Sequence, residues 1–133
     1  MPRLKALDHV GLRVSDFDRS LSFYKRLGLT VLRTKGPDSA GVRFAVLQVG
    51  SQELNVSSRP NHIARSGEDN AVGIDHFCLE VEASSMDEVV ESLKHAGLEI
   101  AGAPTERRDG AALFLVDPDG VRVELQLKRK THV

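Results

Sequence analysis

Leu7-Asp8-His9-Val10-Gly11-Leu12-Arg13-Val14 and Ile74-Asp75-His76-Phe77-Cys78-Leu79-Glu80-Val81 open in the same way, with an apolar residue, Asp, His and then alternating apolar positions. Each is followed by a short amphipathic helical pattern that stops at a glycine, Gly28 in one copy and Gly97 in the other. The chain reads as one unit written twice. Duplication constrains the fold, because both copies must form the same supersecondary unit. It also constrains the chemistry: a histidine at the same place in each copy can bring two imidazoles together across an internal pseudo-twofold axis, which is one way to build a metal site.

Within the first copy, Val10, Leu12 and Val14 alternate with His9, Gly11 and Arg13, the period of a strand with one face on a core. Ser15 or Asp16 then caps a helix in which Phe17, Leu21, Tyr24 and Leu27 fall at helical spacing, and Gly28 supplies a left-handed stop. Strands are expected over 29–33, 42–49 and 52–57, with turns at Gly36-Pro37-Asp38 and Gly50-Ser51. The second copy repeats the order. A strand covers 74–81, and a helix starts at Ser85 with Glu88 as its capping-box partner. Strands follow over 98–100, 112–116 and 121–127, the last pair joined by Asp117-Pro118-Asp119-Gly120. The expected class is α+β, with two tandem βαβββ modules, about 4–57 and 74–128. Residues 58–73, polar and aperiodic, link them, and at 133 residues the whole is expected to be a single domain, 1–133.

A formal net charge of -1, with Lys and Arg spread along the chain, gives no reason to expect a nucleic-acid partner. Lys128-Arg129-Lys130 is read as a solvated tail, His95 as a surface residue at a helix C-terminus, and His62 as an exposed linker residue. The single cysteine, Cys78, excludes an internal disulfide. Although it alternates with His76, it is read as a small buried apolar residue. No apolar run approaches a membrane span, and Met1-Pro2-Arg3-Leu4-Lys5 lacks the apolar stretch of a signal peptide, so a cytoplasmic protein is expected.

The chemistry-bearing residues follow from strand alternation. In the last strand Val123 and Leu125 take the core face, leaving Arg122, Glu124 and Gln126 on the face that His9 and His76 occupy in theirs. If the modules pair around a common cavity, His9, His76 and Glu124 can converge on one divalent ion. Two neutral imidazoles and a carboxylate suit Zn, Ni, Mn, Co or Fe(II) and leave coordination positions open for substrate. By repeat logic the counterpart of Glu124 is Asn55, a weaker ligand that cannot act as a base; Glu53 shares its face at the rim.

These motifs, together with the helix Asp18-Arg19-Ser20-Leu21-Ser22-Phe23-Tyr24-Lys25-Arg26-Leu27-Gly28 and Asp117-Pro118-Asp119-Gly120-Val121-Arg122-Val123-Glu124-Leu125, resemble the vicinal oxygen chelate superfamily over essentially the whole chain. That superfamily contains glyoxalase I, bleomycin-resistance proteins, fosfomycin-modifying enzymes and extradiol dioxygenases. The resemblance implies a curved mixed sheet around a central metal cavity and a homodimer. It places metal ligands at His9, His76 and Glu124, with Asn55 at a fourth position where glyoxalase I has Glu, a departure that leaves Glu124 or an unidentified group as the catalytic base. Arg13 matches an arginine that holds a glutathione carboxylate, and Arg122 joins it as a substrate-binding candidate. The expected function is a metal-dependent lyase or isomerase of the glyoxalase I kind, acting on a small molecule such as a glutathione adduct, with no nucleic-acid or membrane partner. A metal-dependent thiol transferase comes next and an extradiol-type dioxygenase third. The alternative of another class is a metal-free protein that sequesters a drug. With no Trp, one Tyr and five Phe, the chain has few aromatic surfaces for stacking a large planar drug.

Overall fold

The computed structural model describes residues 3–4, 6–60 and 74–129. His62, Lys130 and most of the expected linker lie outside the described residues. The chain divides into two compact units, residues 1–64 and 65–133, each holding one copy of the repeat.

In the first unit the order is β1 (His9–Arg13), α1 (Phe17–Leu27), β2 (Thr30–Lys35), β3 (Arg43–Val49) and β4 (Gln52–Ser58). The second unit runs β5 (His76–Glu80), α2 (Met86–His95), β6 (Ala101–Arg107), β7 (Gly110–Val116) and β8 (Arg122–Lys128). Each forms a four-stranded mixed sheet, ordered β1-β4-β3-β2 and β5-β8-β7-β6. The first strand of each unit lies parallel to the last, and the other pairings are antiparallel. Two βαβββ modules in an α+β fold are therefore present as the sequence pattern requires.

Both helices start and stop by the same chemistry. Asp16 accepts the Arg19 amide at 3.1 Å, and Ser85 accepts that of Glu88 at 3.2 Å. At the other end the amides of Gly28 and Leu29 donate to the Lys25 and Tyr24 carbonyls, and those of Gly97 and Leu98 to Lys94 and Leu93. This is a Schellman stop in each copy. It needs a left-handed residue, supplied by Gly28 at φ 114° and Gly97 at φ 74°. Each stop drops a leucine into the core, Leu29 and Leu98. The expected capping box at α2 is only half formed. The Glu88 carboxylate accepts from the Ser84 amide and hydroxyl rather than from the Ser85 amide, and these bonds hold Glu88 below the ordinary carboxylate pKa.

One strand differs more substantially from the sequence reading. Strand β6 spans Ala101–Arg107, not 98–100, and every one of its residues is exposed. It is an edge strand with a single neighbour and a register shift between Ala101 and Thr105. Nothing in its composition marks a buried face, and Gly102 and Pro104 read as loop, which edges tolerate. Leu98, read as strand, is instead the buried residue of the helix stop.

The turn that delivers β8 is fixed by a buried carboxylate. Asp117 Oδ1 accepts the Asp119 and Val121 amides at 2.9 and 2.8 Å, and the Asp117 amide donates to the Val121 carbonyl. Asp38 builds the same device before β3 through the Ala40 and Val42 amides, both at 2.9 Å. Such Asx turns satisfy backbone donors that would otherwise compete for other partners. No described helix is long and apolar enough to cross a membrane.

Gly110 opens β7 where a Cβ would stand 1.9 Å from the Leu127 carbonyl oxygen, at φ 156°. Gly110→Ala should therefore cost about 2 to 4 kcal/mol in urea unfolding, because backbone must shift. Gly28→Ala, with open space around its Cβ, should lose only the left-handed penalty of about 1 to 2 kcal/mol. A Gly110 variant no less stable than the Gly28 variant would contradict this account of the β7–β8 pairing.

Candidate functional site

The second unit carries a continuous polar chain across β5, β8 and β6. His76 opens β5, and its Nδ1 meets Asp75 Oδ2 at 2.8 Å. Arg122 donates from Nη1 to the same oxygen at 2.9 Å. The Arg122 guanidinium lies over the Phe114 ring, 4.3 Å from its centroid, and the His76 ring meets Phe114 edge-on at 5.5 Å. A carboxylate that accepts from Nδ1 fixes both the tautomer and the ring plane, and so leaves the Nε2 lone pair pointing outward.

That lone pair faces an acid. His76 Nε2 lies 3.5 Å from Glu124 Oε1, while Arg107 Nη2 donates to Glu124 Oε2 at 3.0 Å. The Glu124 side chain is 12% exposed, so water does little to screen it. A lone pair and a carboxylate oxygen this close repel unless a cation lies between them, either a proton on Nε2 or a metal ion. This donor pair, with its imidazole oriented from behind by a carboxylate, fits a divalent cation in chemistry and in arrangement.

The first unit carries the same opening. His9 begins β1 and its Nδ1 meets Asp8 Oδ2 at 2.8 Å. The strand registers make the repeat explicit: β1 places Gly11 beside Asn55, and β5 places Cys78 beside Glu124. Asn55 thus stands where Glu124 stands in the other copy. Its Oδ1 is buried and accepts no hydrogen bond among the described residues, a cost that a donor or a cation would relieve. Glu53 pairs with His9 in register. Arg13 is exposed at the end of β1 and makes no ion pair among the described residues.

Of the sequence candidates, then, the second unit brings His76 and Glu124 together, and the first unit carries His9, Arg13 and Asn55 on one strand pair. Neither unit alone holds a full set. Among the described residues no three His, Cys, Asp or Glu side chains are grouped as a ready ligand cluster. Arg122, expected to touch substrate, is engaged with Asp75 and Phe114. Arg107 was missed, because the strand that carries it has no sequence signature. Asp8 and Asp75 were visible as part of the repeated motif, and the signal of their role is their invariant place just before each histidine.

Cys78 corrects another expectation. It is exposed and lies on the His76 face rather than in the core. Its thiol donates weakly to Gln126 Oε1 at 3.9 Å, and Gln126 is itself held by donation to Asp109 Oδ1 at 2.9 Å. Partial burial and then the neighbouring Glu124 carboxylate push the thiol pKa up to about 11. A raised pKa means less thiolate at any given pH, so Cys78 stays protonated near neutrality. Iodoacetamide labelling of the folded protein at pH 9 should be slower than that of a free thiol by more than about tenfold, and Glu124→Gln should speed it. Labelling at the free-thiol rate would remove Glu124 from this contact.

Comparisons with known proteins bear on the family and the fold. The chain is 29% identical over 121 residues to a probable lactoylglutathione lyase of Synechocystis sp., covering 88% of this chain and 91% of that one. It is 24% identical over 124 residues to the metallothiol transferase FosB of Staphylococcus epidermidis, covering 92% and 81%. The crystal structure of a glyoxalase family protein from Enterococcus faecalis superimposes with a TM-score of 0.78 at 29% identity, covering 92% of this chain and 97% of that one. A family model matches residues 6–125, a span that takes in both Asp-His openings, both helix stops and Glu124. With the repeated βαβββ module and that match together, the chain belongs to the Glyoxalase/Bleomycin resistance protein/Dioxygenase superfamily.

Proposed function

We propose that this protein is a metal-dependent lyase or isomerase of the glyoxalase I kind, in which His9, His76 and Glu124 hold one divalent cation and Asn55 takes the fourth position. The observation that carries the reading is the 3.5 Å approach of His76 Nε2 to Glu124 Oε1, with Nδ1 clamped by Asp75. The identical Asp8-His9 clamp and the unpartnered Asn55 Oδ1 support it. The metal is one of Zn, Ni, Mn, Co or Fe(II) by donor chemistry. The working form is a homodimer in the cytoplasm, and the two modules act as a single domain.

When bound, the ion supplies Lewis-acid stabilisation of negative charge on two neighbouring substrate oxygens. The chain's own residues do the rest. Glu124 would remove the proton from the sulfur-bearing carbon and return it to the neighbouring carbon, while the hydroxyl proton passes from one of the two adjacent oxygens to the other; together these turn an α-keto hemithioacetal into an α-hydroxy thioester. Arg107 steadies the far oxygen of that carboxylate, Asp8 and Asp75 hold the imidazoles in their tautomers, and Arg13 pairs with a carboxylate of a glutathione adduct. Asn55 cannot accept a proton, so a single acid group must carry both transfers. That same substitution favours a second reading, thiol addition to an epoxide, which needs only three ligands; one relative is named a metallothiol transferase.

Elemental analysis of protein purified without added metal should find about one equivalent of a divalent metal, lost in His76→Ala. Iron would favour oxygenase chemistry, Ni or Zn the lyase, and Mn the transferase. No metal in either protein, even after reconstitution, would turn the reading to a metal-free binding protein. Separately, Arg13→Ala should weaken binding of an S-alkyl glutathione by more than about tenfold while leaving metal content unchanged. Equal affinities would take Arg13 out of the substrate site.

A further inference from the structure

We infer that Arg107 is a resident cation that occupies Glu124 in competition with the divalent ion, so that it lowers metal affinity, whereas Arg122 raises it; this rests on the metal reading above. The two guanidiniums sit at opposite ends of the same chain of contacts and act on different members of it. Arg107 reaches in from the exposed end of β6 and donates directly to Glu124 Oε2 at 3.0 Å. Its own side chain is 43% exposed, against 12% for Glu124, so a rim cation neutralises a covered carboxylate. Without it, Glu124 would be a buried anion facing only a lone pair, a state that costs several times a surface charge.

A divalent ion held by Glu124 would share that carboxylate with the guanidinium. The attraction of Glu124 for the ion is reduced by the charge already paired with it, and the ion and the guanidinium repel. Arg122 stands elsewhere. It donates to the Asp75 oxygen behind the imidazole and stacks on Phe114. Its effect is to hold Asp75, and through Asp75 the direction of Nε2. Such outer partners typically strengthen metal binding by about 10- to 100-fold. Arg107 and Arg122 are thus positioning residues of opposite sign.

The test is Co(II) titration at one fixed pH by calorimetry and visible absorption, on wild type, Arg107→Ala, Arg107→Gln, Arg107→Lys and Arg122→Ala. Arg107→Gln keeps a donor toward Oε2 without the charge, which guards against loss of local structure in the alanine variant. The Ala and Gln variants at Arg107 should bind Co(II) about tenfold more tightly than wild type, a gap that narrows in high salt. Arg107→Lys should stay within about threefold of wild type, and Arg122→Ala should bind at least about tenfold more weakly. Unchanged or weaker Co(II) binding by both Arg107→Ala and Arg107→Gln, with wild type binding normally, would overturn this inference and leave the metal reading intact. No Co(II) binding by any of the five proteins would overturn both.

Discussion

A carboxylate immediately before a histidine is the constraint on which the rest of this site depends. An imidazole at the first position of a sheet-edge strand is free to rotate and to exchange tautomers, and either freedom spoils it as a donor. Asp75 removes both by accepting from Nδ1, and Asp8 does the same for His9. The clamp is local in sequence, so it survives any rearrangement that preserves the strand. It also explains why the motif recurs as a pair of residues rather than as histidine alone.

The parallel pairing of the first and last strands in each unit sets what stands beside the clamp. In the second unit it seats Glu124 two positions beyond His76; in the first it seats Asn55 two positions beyond His9. Delivery of β8 in that register rests on the Asp117 turn, whose buried carboxylate holds two backbone amides. Hydrophobic packing fixes the other face. Val123 and Leu125 are buried on either side of Glu124 in sequence, so the acid cannot swap faces without exposing both.

Much of this was legible in the residues themselves. Helix stops, capping residues and the face of His9, His76 and Glu124 follow from local rules with a period or a capping geometry behind them. Arg107 was not legible, because β6 is an edge strand whose exposed residues follow no apolar alternation and whose Gly102 and Pro104 mimic a loop. Cys78 was read wrongly for a different reason. Alternation with Phe77 and Leu79 puts it on the His76 face, and on this strand that register outweighs the general preference of small thiols for the core. The half-formed capping box at Ser85 shows the same limit on a smaller scale: spacing identifies Glu88 as a partner for the helix start, but the choice between Ser84 and Ser85 is a matter of side-chain geometry that spacing does not contain.

The two copies have diverged most in charge. Beside His76 the register places Arg122, whose guanidinium holds Asp75; beside His9 it places Glu53, so Asp8 has no guanidinium behind it among the described residues. His9 is correspondingly the more exposed imidazole, 48% against 37%. In the second unit the formal charges of Arg122, Asp75, Glu124 and Arg107 cancel around His76, which offsets part of the cost of burying the acid. The first unit needs no such cancellation, because Asn55 carries no charge at the matching position. One copy carries an acid with cations that hold it, and the other carries an amide at the matching position, whose buried oxygen has no partner among the described residues. Within its own sheet, then, Glu124 is a strong donor already paired with a guanidinium, and Asn55 is a weaker donor whose oxygen has no partner among the described residues.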